Sequence, residues 1–182
     1  ACAERHAEDG CRTYERLAEL PQPGPWPLRA GAEALVQVGR RRDVLRVLER
    51  TFAVEGPQAE LAGEVWAHVA SGGSKLAVWP RLRRFAEGPA GAQVAVATFL
   101  ENLAESGTRL VILLFVFTSG LGAFRRATRV WGSMGFALLQ LGWRRLAARW
   151  LSDHAARADA RPWMLNNLAL ALRELGRDAE AT

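Results

Sequence analysis

Five glycines set the most restrictive pattern in this 182-residue chain: Gly39, Gly73, Gly107, Gly142 and Gly176, separated by 34, 34, 35 and 34 residues. Each follows one apolar-periodic segment and precedes another. Four residues before them stand Leu35, Val69, Leu103, Leu138 and Leu172, and nine residues after them stand Leu48, Leu82, Val116 and Leu151. A glycine with these neighbours supplies the left-handed turn that closes one helix, while the apolar residue one turn inside faces a partner helix. The period is the length of one helix-turn-helix unit. The sequence therefore predicts stacked helix pairs, each burying its face against its neighbours in one elongated array.

The columns are clearest towards the C-terminus, with Trp131, Met134, Gly135, Leu138, Gly142, Ala147, Leu151 and Pro162, then Leu165, Leu168, Ala169, Leu172, Gly176 and Ala181. On these residues the chain, from about Pro25 to Thr182, resembles the tetratricopeptide repeat family. The resemblance implies an all-α fold, a right-handed superhelical array of antiparallel helix pairs with about five repeats. Residues 1–24 read as a truncated leading repeat and loop, followed by units at about 25–58, 59–92, 93–127, 128–161 and a truncated 162–182. Where the family places a small residue for close helix contact, the first unit has Ala32 but the second and third have Trp66 and Leu100. Their helices are expected to pack at a different angle.

Repeat phase places CRTYERLAEL in the second helix of the leading unit, then helix pairs at Trp26–Val38 with Arg41–Phe52 and Pro57–Ala70 with Lys75–Ala86. Further pairs follow at Ala90–Glu105 with Arg109–Thr118, Phe124–Leu141 with Arg144–Ala156, and Pro162–Leu175 with Asp178 onward. Pro25, Pro57, Pro89 and Pro162 stand at or just before helix starts, where a missing amide hydrogen costs nothing. The apolar run LVILLFVF, Leu110–Phe117, is too short to span a bilayer. It reads as a second helix covered on every side, by a partner chain, by another part of the parent protein or by self-association.

The net charge of +5 would ordinarily point to nucleic acid or an anionic surface. Of the 24 basic residues only Lys75 is a lysine, however, and the chain is also rich in Ala and Gly, the bias of a GC-rich bacterial genome. Cys2, His6 and Cys11 lack the close cysteine pair and fourth ligand of a zinc site, and no metal or cofactor is expected. His6, His68 and His154 fall in different repeats with no nucleophile beside them, SGGSK lacks the first glycine of a phosphate loop, and no catalytic role is assigned. Most of the seven Trp residues are read as core. The opening ACAERHAEDG has no secretory apolar stretch, which points to the cytoplasm, and both ends read as cuts in a longer protein.

The family presents the first helix of each pair to a concave groove, at fixed positions before each turn glycine. The resemblance thereby assigns Trp26, Arg29, Glu33 and Gln37, then Glu60 and Glu64, then Glu101 and Glu105 to partner binding. It adds Arg129, Phe136, Gln140, Trp163, Asn166, Asn167 and Arg173, with Asn167 where family members use an Asn to hold a ligand backbone. The expected function is a protein-interaction scaffold for a peptide or partner helix, basic in character because the groove is acidic. A nucleic-acid binder using the arginine-rich second helices is the alternative, as is an accessory region of a larger enzyme or regulator.

Overall fold

The computed structural model describes residues 2–20, 24–109, 112 and 123–181. Helices α1 to α6 are Cys2–Glu19, Pro25–Gln37, Arg41–Ala53, Ala59–Ser71, Lys75–Ala86 and Ala90–Glu105. Helices α7 to α10 are Ala123–Arg126, Thr128–Gln140, Arg144–Leu151 and Pro162–Arg173, with 3₁₀ turns at Ser152–Ala156 and Asp178–Glu180. No strand occurs among the described residues. The chain divides into two compact units, Ala1–Phe99 and Leu100–Thr182, so the division falls inside α6.

In the first unit α1 packs on α2 and α3, α2 on α3 and α4, α3 on α4, and α4 on α5. In the second, α7 packs on α8, α8 on α9 and α10, and α9 on α10. In each unit helices that follow one another in sequence pack together, and α2 with α4 and α8 with α10 also touch. Helix α4 is the centre of the first unit and α8 of the second, and both are buried on most of their surface.

Four of the five turn glycines adopt the left-handed conformation: Gly39 at φ 81°, Gly107 at 68°, Gly142 at 73° and Gly176 at 72°. In each case the next residue donates its amide to the carbonyl of the conserved-phase leucine, Arg40 to Leu35 (2.8 Å), Thr108 to Leu103 (3.0 Å), Trp143 to Leu138 (2.9 Å) and Arg177 to Leu172 (3.0 Å). These bonds satisfy carbonyls that a helix end would otherwise leave open. Gly73 departs from the expectation. Its amide reaches Ala70 (3.0 Å), but its φ is not left-handed. The guanidinium of Arg41, at the start of α3, donates instead to the Gly72 carbonyl. Two consecutive glycines leave room for that side chain.

The small-residue contact of the second repeat is also shifted from its expected position. Trp66 is fully buried and packs edge-on to Phe52 at 6.2 Å and Phe85 at 5.3 Å, with Phe99 tilted at 6.2 Å. Its indole nitrogen donates to Glu49 at 3.1 Å, so the polar edge is satisfied. The close approach instead lies three residues earlier, where a Cβ on Gly63 would collide with the Gly91 carbonyl. Helices α4 and α6 therefore meet backbone to backbone. Gly132 occupies the same repeat phase in α8, where a Cβ would lie 2.7 Å from Trp163 of α10. Gly135 lies against Leu151, as the small-residue column implies.

Several boundaries differ from the sequence reading. Helix α1 extends back to Cys2, whereas α4 starts at Ala59 rather than Pro57. The segment 124–141 is broken at Ala127, whose ψ of 104° is extended. Helix α9 ends at Leu151 and passes into a 3₁₀ turn, and residues from Asp178 form a 3₁₀ turn, not an α-helix. Of the Leu110–Phe117 run only Ile112 is among the described residues, and it is buried.

These geometries order three substitutions. Gly142→Ala meets no atom within 4 Å but must hold a left-handed backbone, which costs about 1 kcal/mol. Gly73→Ala need displace only a flexible arginine and costs less. Gly63→Ala must move a backbone carbonyl and costs about 1–3 kcal/mol or more. Urea unfolding should rank the losses Gly63, then Gly142, then Gly73.

Candidate functional site

On α2 the residues Leu28, Ala32 and Leu35 are buried, whereas Trp26, Arg29, Glu33 and Gln37 are exposed at spacings of three and four. They form one outward stripe because residues three and four apart share a helix face. Trp26 stands out at 79% exposure, placed just after the Pro25 that starts the helix. On α4 the outward stripe is Glu60, Glu64 and His68. The two stripes adjoin: the Glu33 carboxylate accepts from Arg29 Nε at 3.1 Å and lies 3.5 Å from His68 Nε2. In the first unit the structure thus brings together Arg29, Glu33, Gln37, Glu60 and Glu64 on one face, three carboxylates among them.

His68 was not among the sequence-assigned binding residues. Its signal lay in the four-residue spacing from Glu64, which puts it on the same face.

The second unit holds the remaining assigned residues. Glu101 is half-buried and accepts from the Ser133 hydroxyl of α8 at 2.8 Å, so it ties two helices together. Glu105 is exposed and Arg129 is half-buried. Trp163, 39% exposed, covers Gly132, with Asn167 half-buried one turn further along α10 and Asn166 and Arg173 exposed. Phe136 is half-buried and Gln140 exposed on α8. Trp131 and Trp150 are core, stacked with centroids 4.0 Å apart, and the Trp150 indole donates to the Trp131 carbonyl at 3.0 Å. The most exposed tryptophans are thus two that the repeat phase assigned to binding.

A polar cluster missed in the sequence fixes the break before α8. Arg157 donates to Thr128 Oγ1 at 3.1 and 2.7 Å and to the Arg125 carbonyl at 2.8 Å. It thereby serves carbonyls freed where α7 ends. The Thr128 hydroxyl donates in turn to Asp159. That hydroxyl, then the backbone amide of Asp159 and the Arg157 guanidinium, hold the Asp159 carboxyl below its ordinary range. Arg125 lies over the Trp131 ring at 4.5 Å and bonds Asp153 at 2.6 Å. These partners are about 30 residues apart, with no local spacing to announce them.

Several arginines of the second helices are tied to carboxylates. Arg50 of α3 bonds Glu15 of α1 at 2.7 Å, Arg81 of α5 meets Glu49 of α3 at 3.3 Å, and Arg144 of α9 bonds Glu174 at 2.5 Å. Among the described residues no group of three His, Cys, Asp or Glu is placed to hold a metal, and no helix is long and apolar enough to cross a membrane. Cys11 is half-buried, and burial pushes its thiol pKa up. The Cys2 and His154 side chains lie outside the described residues.

No protein-family model, curated protein or solved structure matches the chain.

The Asp159 shift has a definite sign. A carboxyl with a lowered folded pKa adds stability above its unfolded value, near 3.8, and loses it as pH falls through the folded value. Asp159→Asn should therefore lower the melting midpoint at pH 7. The difference from the parent should shrink below pH 3.8 in paired thermal melts.

Proposed function

We propose that the chain is a protein-interaction scaffold. Its first unit binds a peptide or partner helix on the outward face of α2 and α4, and the ligand carries basic side chains next to an aromatic or apolar one. The observation that carries this reading is Trp26, a large aromatic left 79% exposed on the stripe shared with Arg29, Glu33 and Gln37 and flanked by Glu60 and Glu64 of α4. Tryptophan is enriched at binding hot spots because it buries a large apolar area with little loss of freedom. The neighbouring carboxylates favour a cationic partner and speed its approach. This is the helix-face mode of peptide recognition, with anchors at helical spacing.

The same charges weigh against nucleic acid as the ligand. A phosphate backbone would meet Glu33, Glu60 and Glu64 on this face, and on the second helices Arg50, Arg81 and Arg144 are already engaged by carboxylates. Asn167 and Trp163 give the second unit a face of its own, suited to an extended backbone held by the amide and covered by the ring.

Selection from a displayed random-peptide library against the purified chain should enrich sequences with Lys or Arg beside an aromatic residue. Trp26→Ala should weaken the selected peptides about tenfold or more, equivalent to about 1.4 kcal/mol. Glu64→Lys should slow association and flatten its salt dependence, and both variants should keep the parent's melting midpoint because the residues are exposed. If a single-stranded oligonucleotide binds instead, and binding is lost on neutralising Arg83 and Arg84, the scaffold reading is replaced.

A further inference from the structure

Four aromatic rings meet in the second repeat. Phe52 of α3 and Phe85 of α5 are edge-on at 5.0 Å, and Trp66 of α4 lies 5.3 Å from Phe85 and 6.2 Å from Phe99 of α6. The repeat period gives each of these positions a counterpart 34 residues earlier: Ala18 for Phe52, Thr51 for Phe85, Ala32 for Trp66 and Val65 for Phe99. Every ring is thus replaced by a smaller side chain. Where the surrounding helices keep their spacing, volume withdrawn from side chains remains as a cavity.

A cavity of about 440 Å³ stands at this place in the first unit. Ala18 of α1 and Thr51 of α3 both line it, together with Val47, Pro57 and Ala59. The correspondence extends to the wall. A Cβ on Gly91 would lie 2.7 Å from the Phe52 Cβ, and the residues one period earlier, Pro57 and Ala18, line the cavity together. The Thr51 hydroxyl donates to the Val47 carbonyl at 3.0 Å, so it is satisfied without a ligand. The rim is acidic. Glu15 is held by Arg50 at 2.7 Å, whereas Glu19 and Glu55, both exposed, have no ion-pair partner among the described residues.

We infer that this cavity is a binding site for a small aromatic cation, a single ring carrying an ammonium group on a short chain. The second repeat shows which shape the space accepts, because the rings of Phe52 and Phe85 fill the same place there. The volume is that of a small-ligand pocket, and a ring entering it exchanges water for apolar contact. Glu19 and Glu55 set the sign of the charge, since an anion would meet two carboxylates and a neutral ring would leave both unpaired. None of the lining residues belongs to the outward stripes of α2 and α4, so the site stands whether or not that face binds peptides.

The probes are phenethylammonium, 2-phenylethanol and phenylacetate, titrated into the isotope-labelled chain and followed by its backbone amide NMR signals. Phenethylammonium should shift Ala18, Val47 and Thr51 saturably. Affinity should fall about threefold or more at each step to the alcohol and to the acid, the size of an exposed charge interaction. Glu19→Gln with Glu55→Gln should make the three probes equal. Ala18→Phe with Thr51→Phe, which copies the second repeat, should abolish the shifts and leave the melting midpoint at or above the parent's. Three results each overturn the inference: no saturable shift at Ala18 and Thr51, phenylacetate bound as tightly as the cation, or binding unchanged by the two Phe substitutions. The charge arm, on exposed residues, decides should the chain with two added Phe fail to fold. A peptide with Phe beside Lys that binds here while phenethylammonium does not also overturns it, because the occupant is then a side chain of a partner.

Discussion

The bond from the residue after a turn glycine back to a leucine carbonyl is the constraint on which the rest of the fold rests. It closes four first helices at Leu35, Leu103, Leu138 and Leu172, and it fixes where the chain leaves each of them. Only a left-handed residue can form it without strain, and glycine enters that region without a Cβ penalty. After Gly39 and Gly142 the chain enters a helix that packs back on the one just closed. The leucine that lends its carbonyl also buries its side chain, so one residue serves both turn and core.

Between successive first helices the packing is decided by what is missing from side chains. Gly63 meets Gly91, and Gly132 takes the Trp163 ring. In the second repeat the volume expected of a small residue is taken by Trp66, enclosed by Phe52, Phe85 and Phe99. Truncating a fully buried aromatic of this kind costs about 3–5 kcal/mol. The cluster fills that volume and keeps α4 central.

The turns and helix faces were legible because their causes are local. A strained backbone needs glycine wherever it occurs, and an outward stripe repeats every three or four residues, so Arg29, Glu33 and Gln37 could be placed on one face from their numbering. Gly73 misled because its turn is held by Arg41, 31 residues distant along the chain. The resemblance assigned Glu101 to partner binding, and its bond from Ser133, across 32 residues of sequence, has no local spacing to announce it. The Arg157, Asp159 and Thr128 cluster left no periodic trace at all. Charge told least: a basic composition coexists with a face that carries the exposed Glu33, Glu60 and Glu64.

The Gly63 and Gly91 crossing has an entropic side. Most contacts between helices order side chains, and each ordered rotamer opposes association by up to about 2 kcal/mol for long residues. At the Gly63 and Gly91 crossing the nearest atoms are backbone of Ala59, Gly91 and Ala95 and the Cβ atoms of Val94 and Phe52, so few rotamers are ordered at its centre. It also joins residues only 28 apart, so little loop entropy stands in its way. Closing the α4 and α6 crossing therefore costs less conformational entropy than ordering the rings of Trp66, Phe52, Phe85 and Phe99 around it.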